Sequence, residues 1–409
     1  MAEGVKLITF LGIGNYEIVT YRFGEHETRT EFAAEALARA HPPTQALVFL
    51  TREARKHINT KTDKQNWPEL QARLAALTAV RAIDIPAGRV EAELWDIFDK
   101  VVDAVDERDT VVFDITFAFR SLPFITFLAI AYLRVAKKVD VRGVYYGAYE
   151  ARENDVAPIF DLTPFVTLLD WTTAVDRFLR TGNAAQLAGL LRDAHRQPYL
   201  RGEGDLPRRL QGMANTVETL SEAMLLARPL EVMPTAHRLG RALDAARDEA
   251  LKWARPFALL LDQTRANYAP FALPDLKAAL RENLQIQLRL IKWYLEHERV
   301  MQAILLSREW IISLVVFRLG RDLIADRQEV EDLLNTAHRV SKSGQCVPAE
   351  LAHEPRAADI IRTWGEVRDL RNDLLHAGMR ADPRPASSIV ADGSRLHTKL
   401  AALAPDLAE

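Results

Sequence analysis

The stretch TVVFDITFAFRSLPFITFLAIAYL, residues 110–133, decides the fold. It opens with a short β-branched run, turns through polar and aromatic residues, and continues from Leu122-Pro123 into apolar residues at helical spacing. The same alternation recurs on both sides of it. KLITFLG, ALVFLT, VRAIDIP and VRGVYYGAY read as strands, and WPELQARLAAL and VEAELWDIFDKVVDAV read as helices. Strand-helix alternation predicts an α/β, Rossmann-like N-terminal domain over residues 1–165, with a parallel sheet covered by helices on both faces. The strands are apolar on both sides, as such a sheet requires.

After APIFDLTPF (157–165) helical periodicity takes over and holds to the end of the chain. LLDWTTAVDRFLR, TAHRLGRALDAARDEALKWARPFALLL, the long run from LPDLKAAL to VVFRLG, and AADIIRTWGEVRDLRNDLLH each carry an apolar stripe that another helix must cover. An all-α C-terminal domain is therefore expected. The composition break near 165 sets the main boundary, with softer breaks at QPYLRGEGDLP (197–207) and CVPAELAHEPR (346–356). The resulting division is 1–165, a helical linker region 166–225, and a helical domain 226–409.

The 409 residues hold 53 Lys+Arg against 56 Asp+Glu, a net charge of -3. No global basic field of the kind nonspecific duplex binders carry follows from that, so a nucleic-acid role needs a local patch. The single cysteine, Cys346, excludes an intramolecular disulfide and a zinc site built on paired cysteines. A reducing, cytoplasmic setting is the simplest expectation. The start MAEGVKLITF lacks the marks of a signal peptide. FITFLAIAYL (124–133) and IISLVVF (311–317) are shorter than the ~20 residues that span a bilayer, so both read as buried core and no membrane partner is expected.

In an open parallel sheet, ligands bind beyond the carboxyl ends of the strands. The first such loop, LGIGNY, offers Gly12 and Gly14 for close backbone approach to a phosphate, and Asn15 as a polar side chain. It fails as a dinucleotide fingerprint, because position 17 is Glu and an extended run follows in place of a helix. The loop TREAR supplies Thr51, Arg52 and Glu53. DITFAFRS ends a strand with Asp114 and Thr116, turns through Phe117, and presents Arg120 and Ser121. YYGAYE brings Tyr146, Gly147 and Ala148. Hydroxyls, guanidiniums, backbone amides and flat aromatic faces together suit a nucleotide-like ligand. The alternative is that these are ordinary polar loop residues beside core aromatics.

Two R-x-x-x-x-H matches stand in the chain, Arg52/His57 in TREARKH and Arg371/His376 in RNDLLH. The second ends a helical pattern whose apolar residues Ile360, Trp364, Val367, Leu370 and Leu374 recur every three or four positions. Asn372 and His376 share a face, with Arg371 about 100° round from it. A cation and a histidine before Gly378 also match what a helix C-terminus prefers, so a cap is the competing reading. The carboxylates Glu366, Asp369 and Asp373 alternate with Arg368 and Arg371 and read as ion-pair partners, with no metal site or cofactor expected.

DITFAFRSLP resembles the D-x-T-H-G-F-R-S motif of CRISPR-associated CARF proteins, and RNDLLH resembles the R-x(4-6)-H motif of HEPN ribonucleases. LGIGNY, YYGAYEAR and IFDLTPFVTLLDWTTAVDRFLRTGN are similar to connecting segments of the same CARF-HEPN family. The resemblance runs through most of 5–185 and returns around 300–380. It implies a homodimer whose Rossmann-like sensor binds a cyclic oligoadenylate, the activator made by a type III CRISPR complex, and whose HEPN-like helical domain then cuts single-stranded RNA. In that reading Arg371, Asn372 and His376 are catalytic, and the stripe beside them packs against its symmetry mate. Phe117-Ala118 stands where the family motif has His-Gly, a departure that bears on ring size and on any ligand cleavage by the sensor. The rival readings are a non-catalytic, ligand-responsive regulator and a sensor that degrades its own oligoadenylate.

Overall fold

The computed structural model describes residues 4–117, 122–276, 279–343, 346, 348–352, 354, 356–379, 381–405 and 407. The chain divides into two compact units, 1–169 and 170–409.

Unit 1 holds strands β1 (Val5–Leu11), β2 (Val19–Phe23), β3 (His26–Thr30), β4 (Gln45–Leu50), β5 (Ile58–Asn59), β6 (Lys64–Gln65), β7 (Ala79–Asp84), β8 (Thr110–Asp114), β9 (Asp140–Gly147) and β10 (Val156–Asp161). Between them run α1 (Ala33–Ala40), α2 (Arg52–Lys56), α3 (Asn66–Ala75), α4 (Glu91–Asp103) and α5 (Leu122–Ala136), and α6 (Thr163–Thr181) crosses into unit 2. Eight strands form one sheet in the order β3-β2-β10-β9-β8-β1-β4-β7. Side chains alternate along β1, so Leu7 and Leu11 pack towards α1 and α3 while Ile8 and Phe10 pack towards α4 and α5. Helices thus cover both faces, and the N-terminal unit is Rossmann-like as expected.

The sheet is mixed, and here the expectation of a parallel sheet is corrected. β9, β8, β1, β4 and β7 run parallel, but β10 is antiparallel to β9 and β3 is antiparallel to β2. The connection 148–155 is too short for a crossover and turns through Asn154 and Asp155 in left-handed conformation, so the chain folds back. A second correction concerns FITFLAIAYL. Thr126, Ala129, Ile130 and Leu133 are buried, but Phe124, Leu128, Tyr132 and Val135 lie exposed along the other side of α5. Only half of that apolar run is core.

Unit 2 is helical: α7 (Ala185–Leu200), α8 (Leu210–Leu225), α9 (Pro229–Ala245), α10 (Arg247–Trp253), α11 (Arg255–Ala258), α12 (Leu261–Tyr268), α13 (Leu280–Glu296), α14 (Val300–Arg318), α15 (Arg327–Lys342), α16 (Ala349–Ala352), α17 (Ala357–Leu375), α18 (Ala386–Gly393) and α19 (Leu396–Leu403). One continuous apolar core runs from Trp171 to Leu407, and the segment 166–225 contributes α7 and α8 to it. α14 is long and apolar enough to cross a bilayer but lies mostly buried at the centre of this core. Trp310 on α14 and Trp364 on α17 are fully buried, with their ring N–H groups donating to the Leu284 carbonyl and to Asn335 Oδ1.

Arg308 and Glu309 interrupt the apolar run of α14 without being left unpaired. Arg308 bonds Glu309 and Glu331 and lies over the Trp364 ring, and Arg327 bonds Glu309 in turn. Four charges thereby form one network.

Candidate functional site

The parallel strands β1, β4, β7, β8 and β9 end on one edge of the sheet. After β2 and β3 are laid at the far edge, the parallel strands step outward from β1 to β4 and β7, and the chain then returns to β8 on the other side of β1. Adjacent strands whose connections leave in opposite directions open a crevice between their loops, and this is where such sheets bind ligands. A cleft of about 220 Å³ lies there, lined by Gly14, Asn15, Tyr16, Glu17, Tyr21, Glu31, Thr116, Phe117, Tyr146, Gly147, Tyr149 and Glu150.

Hydrogen bonds tie three loops together at its floor. Asp114, fully buried at the end of β8, accepts from the Thr9 hydroxyl at 2.7 Å, from the Thr116 amide at 3.0 Å and from the Thr116 hydroxyl at 2.5 Å. The Thr116 hydroxyl oxygen in turn accepts from the Gly147 amide at 2.8 Å. A Cβ on Gly147 would stand 2.8 Å from Ala33 Cβ and 2.9 Å from the Tyr21 ring, so no side chain fits. Burial pushes the Asp114 carboxyl above its ordinary range, partly offset by the Thr116 and Thr9 donors.

That shift has a direction in stability. A carboxyl whose pKa rises on folding favours the folded state below its unfolded value of about 3.9, and this contribution is lost as the pH rises through the folded value. Asp114→Asn, which cannot ionise, should therefore gain stability relative to the native chain as the pH rises. Chemical denaturation of both proteins between pH 4 and 8 checks this, and a pH-independent difference would contradict it.

The wall of the cleft is aromatic. Tyr16 and Phe117 meet with ring centroids 4.1 Å apart, and the Gly12 amide donates to the Tyr16 hydroxyl at 3.1 Å. Burial pushes the Tyr16 phenol up to about 12. Asn66 donates to the Gly14 carbonyl at 2.9 Å, Asn59 to the Tyr16 carbonyl at 2.6 Å, and Asn15 Oδ1 accepts from the Thr60 amide at 2.9 Å. The Asn15 carbonyl oxygen is thus spent on holding its loop. At the rim Glu17 pairs with Lys61 and Tyr146 donates to Glu150, while the buried Glu31 pairs with Arg73. Arg152 lies over the Tyr149 ring at 4.0 Å, which adds a cation beside the aromatic surface.

Of the residues expected from the loops, Gly14, Asn15, Thr116, Phe117, Tyr146 and Gly147 line this cleft, and Gly12 backs it through Tyr16. Ala148 is buried behind it, its amide donating to the Pro158 carbonyl. Thr51, Arg52 and Glu53 do not line it. Arg120 and Ser121 lie outside the described residues. Tyr16, Glu17, Tyr21, Glu31, Tyr149 and Glu150 were not named as site residues. Tyr16 follows Gly14 by two positions and could have been found there, but Glu31 reaches the cleft only through the sheet.

The Arg52/His57 pair is corrected from a loop to a short helix. Thr51 caps α2 by accepting from the Ala54 amide at 3.1 Å, and His57 is its C-terminal cap. Arg52 is exposed at its first position.

In unit 2, α17 carries the other pair. Arg371 Nη1 donates to Asn372 Oδ1 at 3.3 Å, and the His376 amide donates to the Asn372 carbonyl at 3.1 Å. His376 is the C-terminal cap and its side chain is exposed, beyond it Gly378 takes φ +71°, and the Gly378 amide donates to the Asp373 carbonyl at 3.3 Å. The cap geometry is therefore real, and it leaves His376 exposed one helical turn after Asn372. Glu366 pairs with Lys399 and Asp369 with Arg368, while Asp373 is buried and accepts from the Arg384 amide. Among the described residues no group of three His, Cys, Asp or Glu could hold a metal ion.

The stripe expected to face a symmetry mate does not. Ile360, Trp364, Val367 and Leu370 are buried in this chain's own core, with Leu374 packed against it. The apolar surface left open beside His376 is instead Leu375 and Met379, the latter 87% exposed.

Comparison with known proteins bears on both units. Residues 6–150 match the family model of the CARF domain of the CRISPR system endoribonuclease Csx1, and residues 167–269 match that of the second domain of CRISPR-associated protein MJ1674. The MJ1674 protein of Methanocaldococcus jannaschii is 30% identical over 109 residues, which is 26% of this chain and 17% of that protein. The chain thus aligns with about a sixth of the length of the curated relative it matches. Among solved structures, Enterococcus italicus Csm6 bound to cyclic hexa-2'-fluoro-hexa-dAMP aligns over 98% of this chain and 95% of its own at 11% identity and a TM-score of 0.45. The N-terminal unit is accordingly CARF-like, and both family matches fall among CRISPR-associated proteins.

Proposed function

We propose that this chain is a cyclic oligoadenylate-activated, metal-independent endoribonuclease of type III CRISPR antiviral defence, acting as a homodimer in the cytoplasm. The observation that carries the reading is the aromatic, amide-lined cleft at the β1/β8 switch point, inside the segment that matches a CARF domain. Adenine rings would stack on Tyr16, Phe117 and Tyr146, and the glycine backbones would admit the ribose-phosphate ring. Cations at the rim, Lys61 and Arg152, would offset its negative charge, and Arg52 would serve a phosphate outside the cleft.

The helical unit acts as a HEPN-like ribonuclease in this reading. The 2′-hydroxyl of the RNA attacks the adjacent phosphorus and gives up its proton, the P–O5′ bond breaks, and the leaving oxygen takes a proton to become a 5′-hydroxyl. A 2′,3′-cyclic phosphate remains. Arg371 stabilises the negative charge that builds on the phosphorane oxygens, and His376 moves a proton near neutral pH. Asn372 orients the guanidinium through its 3.3 Å contact. DNA is spared because it lacks the attacking hydroxyl.

One half-buried arginine with one exposed histidine makes half a site, and exposed apolar groups support a second copy of the chain. Leu375 and Met379 flank His376, and Phe124, Leu128, Tyr132 and Val135 form an uncovered face on α5. Each is what a two-fold neighbour would cover.

Incubating the protein with fluorescent single-stranded RNA, with and without cyclic oligoadenylates of several ring sizes and with EDTA, tests the whole. Cleavage only with ligand and undiminished by EDTA is expected. Intact RNA with shortened oligoadenylate would point to a sensor that consumes its ligand, and intact RNA and ligand to a non-catalytic regulator. Arg52→Ala should raise the oligoadenylate concentration for half-maximal cleavage several-fold, as for a lost charged hydrogen bond. Cleavage at saturating ligand should stay unchanged.

A further inference from the structure

A second polar feature of unit 2 is used by none of the chemistry above. Between α15 and α17 runs an open groove of about 570 Å³. Arg339, Lys342 and Arg368 line it, and Asp332 is the carboxylate among them. Arg368 also touches Asp369 at 3.1 Å, an exposed pair that solvent screens and a phosphate can share.

His338 lines the same groove and is 8% exposed, and its Nε2 is buried without a hydrogen-bond partner. Such atoms are few in folded proteins and each calls for a reason. The seat of this ring is unusual too. A Cβ on Gly365 would stand 2.1 Å from its Cε1, so the imidazole occupies space that only a glycine in α17 leaves open. Glycine weakens a helix interior, and here it makes room for a half-satisfied polar ring. Stability explains neither choice. Burial, with the Arg368 and Lys342 cations beside it, holds the imidazole below its ordinary pKa against the Ile361 carbonyl and Asp369. With Nε2 unpartnered, the ring keeps one nitrogen for a group from outside the chain.

Position on the helix links the groove to the cleavage site. Gly365, Arg368, Asn372 and His376 succeed one another at spacings of three and four along one face of α17. Arg368 precedes Arg371 by roughly 4.5 Å of helix rise.

We propose that the α15–α17 groove is a nucleotide subsite for the strand being cut, with Arg339, Lys342 and Arg368 holding its phosphates and the His338 ring, whose Nε2 is shielded in the free protein, turning to accept a hydrogen bond from a ribose 2′-hydroxyl. This rests on the reading of unit 2 as a single-strand ribonuclease. The groove selects RNA over DNA at a nucleotide flanking the scissile one, so discrimination begins at binding and precedes chemistry.

Fluorescence anisotropy with a labelled single-stranded RNA and the DNA of the same sequence tests it, on the full chain carrying His376→Ala so that bound RNA persists. Adding His338→Leu should weaken RNA binding up to about tenfold, the loss of one hydrogen bond, and leave DNA binding as it was. Lys342→Gln and Arg368→Gln should weaken both strands and each lower the slope of log affinity against log salt by about 0.7. Both side chains sit at the surface, so these two variants decide the matter if His338→Leu disturbs folding. Unchanged RNA preference in a folded His338→Leu protein, or unchanged salt slopes in the two cation variants, would overturn the proposal. The binding readout is independent of cleavage: a native chain that cuts no RNA yet binds it through this groove would sink the ribonuclease reading and leave an RNA-binding groove, and normal cutting with an inert groove would sink this proposal alone.

Discussion

Replacing His376 by alanine should lower ligand-activated RNA cleavage by about 10²- to 10⁴-fold, the range over which a positioned acid or base accelerates proton transfer. The side chain is exposed at the end of α17, so its removal leaves no cavity, and thermal unfolding should shift by no more than a degree or two. The combination is what distinguishes catalysis from capping. A histidine that merely complemented the helix dipole would contribute about 0.3–1 kcal/mol of stability and nothing to turnover. Arg371→Gln should lose as much activity with as little effect on stability, because among the described residues the guanidinium bonds the neighbouring Asn372 amide alone. Full activity in His376→Ala, measured as release of a quenched fluorophore from single-stranded RNA, would remove the basis for placing the reaction on α17.

The second large effect belongs to Gly147. Glycine to alanine in extended backbone ordinarily stabilises a protein by about 0.4–1 kcal/mol through the unfolded chain. Here the sign should reverse. The new methyl would meet Ala33 Cβ at 2.8 Å and the Tyr21 ring at 2.9 Å, and neither is the loose end of a long side chain. Relief requires α1 or the end of β9 to move, which costs about 1–3 kcal/mol as overpacking does. Movement of β9 also strains the bond from the Gly147 amide to Thr116, and with it the link to Asp114. Gly147→Ala should accordingly unfold at lower denaturant and need roughly 100-fold more cyclic oligoadenylate for activation, about 2.7 kcal/mol of lost binding. Gly147→Val should be worse on both counts. Native-like response to ligand in Gly147→Ala would mean that the cleft at the β1/β8 switch point is not where the activator sits.

Local order in this protein was legible because helices and strands leave different periods in a sequence. Residues 110–133 alone announced strand, turn and helix, and repetition of that pattern announced a Rossmann-like sheet with helices after residue 165. The loops at the carboxyl ends of the parallel strands followed from the same reading, and Gly14, Asn15, Thr116, Phe117, Tyr146 and Gly147 do line one cleft.

What tertiary structure alone decided depends on pairing between distant segments. The direction of β10 turned on a reversal at Asn154 and Asp155, so it joined β9 antiparallel in a sheet expected to be parallel. Glu31 and Tyr21 reached the cleft across the sheet, whereas Arg52, nearer by motif, was carried off on α2. The apolar stripe of α17 found its cover within the chain, on the core around Trp310, while half of α5 and the Leu375–Met379 corner were left open. Periodicity shows that a face must be covered but carries no record of what covers it. That choice, like the seating of His338 against Gly365, is made only when segments far apart in the chain compete to bury the same surface.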